Sequence, residues 1–183
     1  MTDGKQLGMD IATNQPTNQP TNTPSQKFMD VVSIRGDEYY TLEKDAETIA
    51  QHIIRPMTVW LPFNDRGKAF DIVLPRHGHK VICTDTDFFN TEPPEGTEAV
   101  ISNPPFSRKK EVIKRLHELG LKYAIISPFL WLNDGVPLDY AYQVMFFRKR
   151  MHFTIDGVEL NRPRQNCVVI SNGILTHDFI VIH

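Results

Sequence analysis

The sequence has only two cysteines in 183 residues and no long uninterrupted apolar run. A membrane-spanning helix needs about 18 or more consecutive apolar residues, so none is predicted. The first residues also lack the apolar stretch of a secretory signal. Cys83 and Cys167 each lie within an apolar segment, which favours buried thiols in a reducing compartment over a disulfide. No Cys/His spacing resembles a zinc site, so no metal is predicted.

The sequence also lacks a large excess of either charge, but acidic and basic residues are unevenly distributed along it. The net charge is −2. Residues 28–107 carry thirteen acidic and seven basic side chains, whereas residues 108–164 carry eleven basic and six acidic ones. The second half is therefore the better candidate for contact with a polyanion. The alternative is a set of solvated helix faces, because basic runs often serve only solubility.

A polar repeat fills the start of the chain. Thr-Asn-Gln-Pro occupies residues 13–16 and again 17–20, and a near copy, Thr-Asn-Thr-Pro, occupies 21–24. Such a segment has little to bury, so residues 1–27 are predicted to be a disordered tail.

From Phe28 to His183 the apolar spacing predicts one α/β domain. Helices are predicted over 41–54, 67–76 and 112–119, and strands over 57–61, 80–83, 99–101 and 123–126. Three later strands are predicted over 151–155, 166–171 and 179–182, with turns at 156–157 and 172–173. Strands that alternate with helices favour a Rossmann-like sheet, mostly parallel, with an antiparallel C-terminal edge. The 40% apolar content is enough for its core.

Polar and aromatic residues follow three of the predicted strands: Pro62-Phe63, Asp85 and Asn103. Ligands of open α/β sheets bind outside the carboxyl ends of the strands. These residues are therefore predicted to meet at one binding site.

The segment Asn103-Pro104-Pro105-Phe106, here called the Asn-Pro-Pro-Phe motif, suits chemistry on an aromatic amine. The exocyclic amine of adenine or cytosine is a poor nucleophile because its lone pair is delocalised into the ring. The Asn103 side-chain oxygen and the Pro104 carbonyl can each accept one N–H, with the two prolines fixing the loop. Phe106 can stack on the base and lie near a cationic sulfonium. The alternative is that this segment only ends a strand.

From Tyr40 to about Ser127, the sequence resembles class I S-adenosylmethionine-dependent amino-methyltransferases of DNA, especially the adenine-specific enzymes. It is similar to short methyltransferase-like proteins of phages and prophages, which implies a location in the bacterial host cytoplasm. The resemblance implies S-adenosylmethionine as cofactor and the adenine amino group as target. It implies that the catalytic residues are Asn103, Pro104, Pro105 and Phe106. It implies that the cofactor contacts are Tyr40, Thr41, Pro62, Phe63, Asp65, Gly67, Asp85, Asp87 and Phe88.

Three departures from the family pattern concern the cofactor site. Leu61 stands where an acidic residue is expected, and Asp65 replaces the first turn glycine. Asp65 can take over the missing acid's contact or obstruct binding. Residues 85–98 are also too short for the usual extra helix and strand, which favours a minimal or truncated version of the fold.

A base within a duplex cannot reach such a site, so a DNA substrate must be single-stranded or have its target base flipped out. The chain has no room for a separate recognition domain, and basic residues are expected to hold phosphates instead. The candidates are Arg108, Lys109, Lys110, Arg148, Lys149, Arg150, Arg162 and Arg164. Trp131 is expected either to wall the pocket or to pack in the core.

Three functions remain open from the sequence. The first is methylation of adenine in DNA, which the intact motif favours. The second is a catalytically inactive protein that acts by binding a protein partner, for instance to block a host defence; Leu61 and Asp65 favour it. The third keeps the chemistry but changes the substrate to RNA or a protein glutamine amide.

Overall fold

A computed structural model of the chain describes residues 39–63, 67–134, 140–155, 158–159 and 166–183. The predicted tail over residues 1–27 lies outside the described residues. Within the described ranges, the helices are α1 (Glu43–Ala50), α2 (Ala69–Arg76) and α3 (Lys109–Glu118). The strands are β1 (Tyr40–Thr41), β2 (Thr58–Leu61), β3 (Lys80–Cys83), β4 (Ala99–Ser102), β5 (Lys122–Pro128), β6 (Gln143–Phe147), β7 (Phe153–Ile155), β8 (Val158–Glu159), β9 (Cys167–Ser171) and β10 (Phe179–Ile182).

Seven strands form one mixed sheet in the order β10-β6-β9-β5-β4-β2-β3. Its neighbours pair in parallel except at β9, which is antiparallel to both β5 and β6. The prediction of a Rossmann-like, mostly parallel sheet is thereby confirmed. A second, antiparallel sheet has the order β1-β7-β8.

Two predictions about the later strands need correction, and one strand was missed. The antiparallel strand β9 lies inside the sheet rather than at its edge, because all five of its residues are buried and need cover on both sides. The predicted strand at 151–155 shortens to β7, which leaves the main sheet and pairs with β1. Strand β6 was not predicted, because it begins with the buried polar residue Gln143. The Gln143 amide is satisfied by partners distant in sequence: its nitrogen donates to the Leu175 carbonyl and the Asp178 carboxylate, and its oxygen accepts from the Ser171 hydroxyl and the Leu175 N–H. The predicted turn at 156–157 lies outside the described residues.

The helices cover both faces of the main sheet. One core joins α1 and α2 to Val59, Leu61 and Ile101. The other joins α3 to Trp60 and Val100. Strand residues alternate between the two cores because successive side chains point to opposite faces. The chain passes from β2 through α2 to β3 on one side, and from β4 through α3 to β5 on the other side. Because βαβ crossovers are right-handed, these opposite directions put α2 and α3 on opposite faces of the sheet.

The first helix is shorter than its periodicity predicts. It ends at Ala50 rather than Ile54, because Ile53 forms a β-bridge with Leu175 and the Ile54 N–H donates to the Ile174 carbonyl. Helix α3 ends as predicted: Gly120 follows it with φ +67°, a conformation that glycine adopts without steric cost. In the part of the chain that the structure describes, no helix is long and apolar enough to span a bilayer.

Candidate active site

The strand order reverses between β2 and β4, which lie side by side although β3 intervenes in the chain. From β2 the chain first moves outward to β3 and then returns to the other side at β4. Such a switch point leaves a crevice at the carboxyl ends of the two strands, where ligands of doubly wound sheets bind. Pro62 follows β2 and Asn103 follows β4. Pro62 and Asn103 therefore lie at the same end of the sheet, while the prediction that they form a binding site stays a prediction.

Asn103 is held in one orientation by the segment that precedes α1. Its side-chain nitrogen donates a hydrogen bond of 2.6 Å to the backbone carbonyl of Tyr39. This bond assigns the amide, because the flipped amide would put two oxygens together. The Asn103 side-chain oxygen is buried and has no hydrogen-bond partner in the structure. A buried acceptor left unpaired costs about 1–3 kcal/mol, so this oxygen is poised to accept a donor.

Aromatic rings surround the end of the motif. The Phe106 ring lies 5.7 Å from the ring of Tyr39 and 6.3 Å from that of Phe153, centroid to centroid. Tyr39 and Phe153 are also 6.3 Å apart, edge to face. The small sheet brings these rings together, since Thr41 of β1 pairs with Phe153 of β7. Phe106 is only partly buried, so part of its ring is open to a ligand.

The structure corrects the prediction that Lys109 contacts phosphates at the surface. Lys109 is 3% exposed, and its Nζ lies 2.8 Å from the centroid of the Phe106 ring. Its positive charge also lowers the pKa of Cys167, although burial is the larger effect and raises that pKa to about 11. The prediction of buried thiols holds for Cys167, while Cys83 is partly buried, and neither forms a disulfide. Lys109 therefore acts inside the fold, as a cation packed on the motif.

The turn after β2 is anchored by an aspartate that the sequence did not single out. The Asp71 carboxylate accepts a 2.7 Å hydrogen bond from the Gly67 N–H and a 3.3 Å bond from the Cys83 thiol. Asp71 thus ties the start of α2 to the end of β3. Gly67 has φ +68°, and a Cβ there would meet no atom within 4 Å, so the turn is open. Asp65 lies outside the described residues.

The residues predicted to contact the cofactor after β2 and β3 fall into two groups. Asp85 and Asp87 are exposed, and Phe63 is partly buried. Phe88 is 3% exposed, with ring centroids 4.9 Å from Phe63 and 5.5 Å from Trp60. Phe88 is thus a core residue. The expected contact between Phe88 and an adenine ring is wrong, because its ring is already packed against Phe63 and Trp60. The Asp87 carboxylate instead accepts from the Phe89 N–H, which shapes the turn.

The predicted pair before α1 lies beside the motif. Thr41 is 9% exposed, and its hydroxyl is buried without a hydrogen-bond partner. Tyr40 is partly buried, and the Nζ of Lys68 lies 3.9 Å from its ring centroid. Because Tyr39 bonds Asn103 directly, Thr41 lies only two residues from a contact with the motif.

A pocket of about 320 Å³ opens next to the motif on the side of α3. This volume is at the lower end of ordinary small-molecule sites. Its walls are Phe106, Ser107, Arg108, Lys109, Lys110, Glu111, Pro128 and Trp131. Trp131 is 8% exposed, so it both packs in the core and walls this pocket.

The remaining basic residues differ in how far they are engaged. The Arg108 guanidinium lies 3.6 Å from the Phe89 ring centroid, and its Nη2 lies 2.6 Å from the Glu111 carboxylate. That hydrogen bond raises the pKa of Arg108 and lowers the pKa of Glu111. Lys110 is exposed, and so are the residues of the basic run Arg148, Lys149 and Arg150. Arg162 and Arg164 lie outside the described residues.

Sequence reasoning missed Tyr39, Asp71 and Phe153 as parts of the site. Asp71 carried a usable signal, because an acid in the first turn of a helix can accept the N–H of a nearby turn glycine. Tyr39 acts through its backbone carbonyl, which any residue supplies. Phe153 reaches the motif only through the pairing of β1 with β7, which no local pattern reveals. Among the described residues, no three His, Cys, Asp or Glu side chains cluster as metal ligands would.

Comparison with known proteins adds little to this geometry. No protein-family model matches the chain. No curated protein matches it either. Among solved structures, it is similar to the crystal structure of the 23S rRNA methyltransferase ErmE, with 12% identity and a TM-score of 0.45 over 76% of this chain and 72% of that one. A likeness this distant bears on neither activity nor substrate.

Proposed function

We propose that this protein transfers a methyl group from S-adenosylmethionine to the exocyclic amino group of adenine in DNA. The observation that carries the proposal is Asn103. Its side-chain nitrogen is tied to the Tyr39 carbonyl, so its buried, unpartnered oxygen is left as an acceptor at the switch point. An amino group that donates to this oxygen satisfies an otherwise orphaned atom.

The chemistry needs an acceptor more than a base. When the Asn103 oxygen and the Pro104 carbonyl accept the two N–H bonds, the nitrogen lone pair is drawn out of the ring and can attack. Bound S-adenosylmethionine would supply the methyl group to this nitrogen and leave as S-adenosylhomocysteine, and one amino proton would then pass to solvent. Phe106 packs against the base, and the Lys109 charge over the Phe106 ring fixes the position of that ring.

S-adenosylmethionine supplies a methyl group on a cationic sulfur. Three features of this chain fit it. The Thr41 hydroxyl is a buried polar atom that lacks a partner. The Gly67 turn is open, which lets backbone approach a ligand closely. Asp85 places an exposed carboxylate at the carboxyl end of β3, suited to the hydroxyls of a ribose. Thr41, Gly67 and Asp85 are therefore the residues expected to hold the cofactor.

The pocket beside the motif is the proposed place for the target base. Phe106 and Trp131 offer apolar walls, while Arg108 and Lys110 lie where a phosphate would follow the base. A base reaches this pocket only from a single strand or after flipping out of a duplex. Arg108 is paired with Glu111, so a phosphate must compete with that carboxylate.

The proposal is tested with two measurements on the same variants. In Asn103→Ala, transfer of radiolabelled methyl groups to adenine-containing DNA is expected to disappear, while calorimetric binding of S-adenosylmethionine stays within a few-fold of the parent. Asn133→Ala is the matched control, since Asn133 is exposed on the 3-10 helix that follows β5. Full transfer by Asn103→Ala would overturn the assignment of the site.

A second candidate is a methyltransferase-like protein that binds a partner protein without transfer. Two observations favour it: Leu61 is fully buried where the family pattern expects an acid, and Phe88 is packed into the core. No binding of S-adenosylmethionine or S-adenosylhomocysteine at millimolar concentration would favour this candidate. Binding with transfer only to RNA or to a protein amide would keep the chemistry and replace the substrate.

A further inference from the structure

A row of aromatic side chains, exposed at its two ends and partly buried in the middle, crosses one face of the sheet beyond the candidate site. The row consists of Phe129, Phe146 and Phe179, with centroid distances of 5.8 Å and 5.1 Å between neighbours. Phe129 is 40% exposed and Phe179 is 66% exposed. Burying a Phe side chain contributes about 1.5–3 kcal/mol, so a row left open to water suggests a partner.

Among the described residues, the exposed part of this face includes Phe179 and Val181 of β10. Ile180 and Met145 point to the opposite face and are buried in the core with α1 and α2. Phe179 and Val181 alternate with Ile180 on β10 and remain exposed. The uncovered face is therefore a local feature of β6 and β10, the last two strands of the sheet.

Two cationic side chains, Arg148 and Arg150, lie beside the row. A pocket of about 260 Å³ is lined by Phe129, Phe146, Phe147, Arg148, Arg150, Asn166, Cys167 and Val168. This set contains two arginines and no acidic side chain. A symmetric pair of chains joined through this face would bring four arginines into one interface, two from each chain, with no acid from the pocket to offset them. The charge therefore favours an anionic partner with flat apolar surfaces over a second copy.

The row continues directly from the proposed base pocket. Pro128, the last residue of β5, lines the pocket beside the motif. The next residue, Phe129, lines the pocket that contains Arg148 and Arg150. The Phe129 N–H donates a 2.7 Å hydrogen bond to the Asn166 carbonyl, which fixes the backbone at the point where the two pockets adjoin.

We propose that Phe129, Phe146 and Phe179, with Arg148 and Arg150, form a stacking platform for single-stranded nucleic acid. Bases stack on the three rings while the two arginines hold phosphates, which is the general pattern of sequence-tolerant single-strand binding. The platform rests on the proposed function and specifies its substrate: the target base enters the pocket from a single strand whose neighbouring nucleotides lie on the row.

The test measures binding of fluorescent 12-mers of deoxythymidylate and of uridylate by anisotropy, without cofactor. Phe179→Ala is expected to weaken binding by about five-fold or more, the loss of one stacked base. Arg148→Ala/Arg150→Ala is expected to reduce the slope of log affinity against log salt by about 1.4, the loss of two phosphate contacts on a single strand. The DNA and RNA arms decide which strand is preferred.

Ile54→Ala is the apolar control, because Ile54 is 52% exposed and follows α1, which packs on the opposite face of the sheet. Lys80→Ala is the charge control, exposed at the start of β3. Both are expected to bind like the parent. Equal affinity of Phe179→Ala and the parent for both oligomers would overturn the platform. So would a dimer of the parent, measured by light scattering, that Phe179→Ala converts to a monomer.

Failure of the platform and failure of the proposed function give different results. If the platform is wrong but the activity exists, Phe179→Ala methylates long single strands with an unchanged KM. If the platform is right but the chain does not transfer methyl groups, the oligomers bind with the expected variant effects and no label is incorporated. The Asn103→Ala variant is expected to bind the oligomers like the parent, because the row does not include it.

Discussion

The Asn103 side chain donates a 2.6 Å hydrogen bond to the Tyr39 carbonyl, so a residue at the end of β4 is oriented by the strand segment before α1. The two residues are 64 positions apart. The bond uses up the donor half of the amide and leaves the acceptor half buried and unpartnered. Asn103 can therefore act only as an acceptor toward a ligand, which matches the need of an aromatic amine.

Asn103→Asp separates the shape of this side chain from its hydrogen bonding. A carboxylate cannot donate to the Tyr39 carbonyl, so the side chain loses its orientation and gains a charge. Methyl transfer is expected to fall by about 100-fold or more, the scale on which a positioned hydrogen-bonding group contributes. Single-turnover transfer with saturating cofactor measures it. Activity close to the parent would mean that the Tyr39 contact does not position the reacting oxygen.

Asp71→Ala is expected to loosen the cofactor turn. The carboxylate holds the Gly67 N–H and the Cys83 thiol, so its loss should weaken S-adenosylmethionine binding by at least about five-fold. Each lost hydrogen bond should also lower the free energy of unfolding by about 1 kcal/mol.

Asp71→Asn is the comparison for that experiment, since one amide oxygen still accepts from Gly67. It should bind the cofactor more tightly than Asp71→Ala in the same calorimetric titration. If both variants bind like the parent, the anchored turn has no part in the cofactor site.

Lys109→Met tests whether this buried lysine acts within the site rather than on phosphates. Methionine keeps the apolar stem but removes the charge from the Phe106 ring. Methyl transfer should fall, while the salt dependence of oligonucleotide binding should stay unchanged. Lys110→Ala should instead reduce the salt dependence of binding, because Lys110 is exposed beside the pocket. A reduced salt slope in Lys109→Met would restore the phosphate role that its burial argues against.

His79 makes stability depend on pH. Burial lowers the pKa of His79, and the positive charge of His77 lowers it further. The unfolded chain therefore takes up a proton more readily than the folded one, so stability falls as pH drops below about 6.5, the ordinary histidine value. Urea midpoints between pH 7.5 and pH 5.5 should decrease in the parent.

His79→Asn should reduce that decrease. Its amide oxygen can still accept from the Met57 N–H, as the His79 Nδ1 does at 3.1 Å, but it does not titrate. The same fall in midpoint for both proteins would assign the pH dependence to other groups.

Local pattern was sufficient for much of the fold. Strands β2, β3 and β4 and helix α2 form at the predicted positions. Short apolar segments bounded by turn residues are typical of buried strands, and apolar residues at helical spacing are typical of helices. The same pattern failed at β6 and β7. Gln143 makes β6 look unlike a buried strand, and β7 is apolar enough for either sheet. Pairing partners decided both, and those partners lie far away in the chain.

The sequence by itself determined the chemistry available: an Asn-Pro-Pro-Phe segment at a strand end, and acids and glycine after its neighbours. Only the tertiary structure decided which of those groups can act. The side chains of Phe88 and Lys109 are buried in the fold, whereas the Asn103 side-chain oxygen has no hydrogen-bond partner. Residue type fixes which hydrogen bonds and charges are possible. Burial and the partners supplied by distant strands fix which are used within the fold and which remain for a ligand.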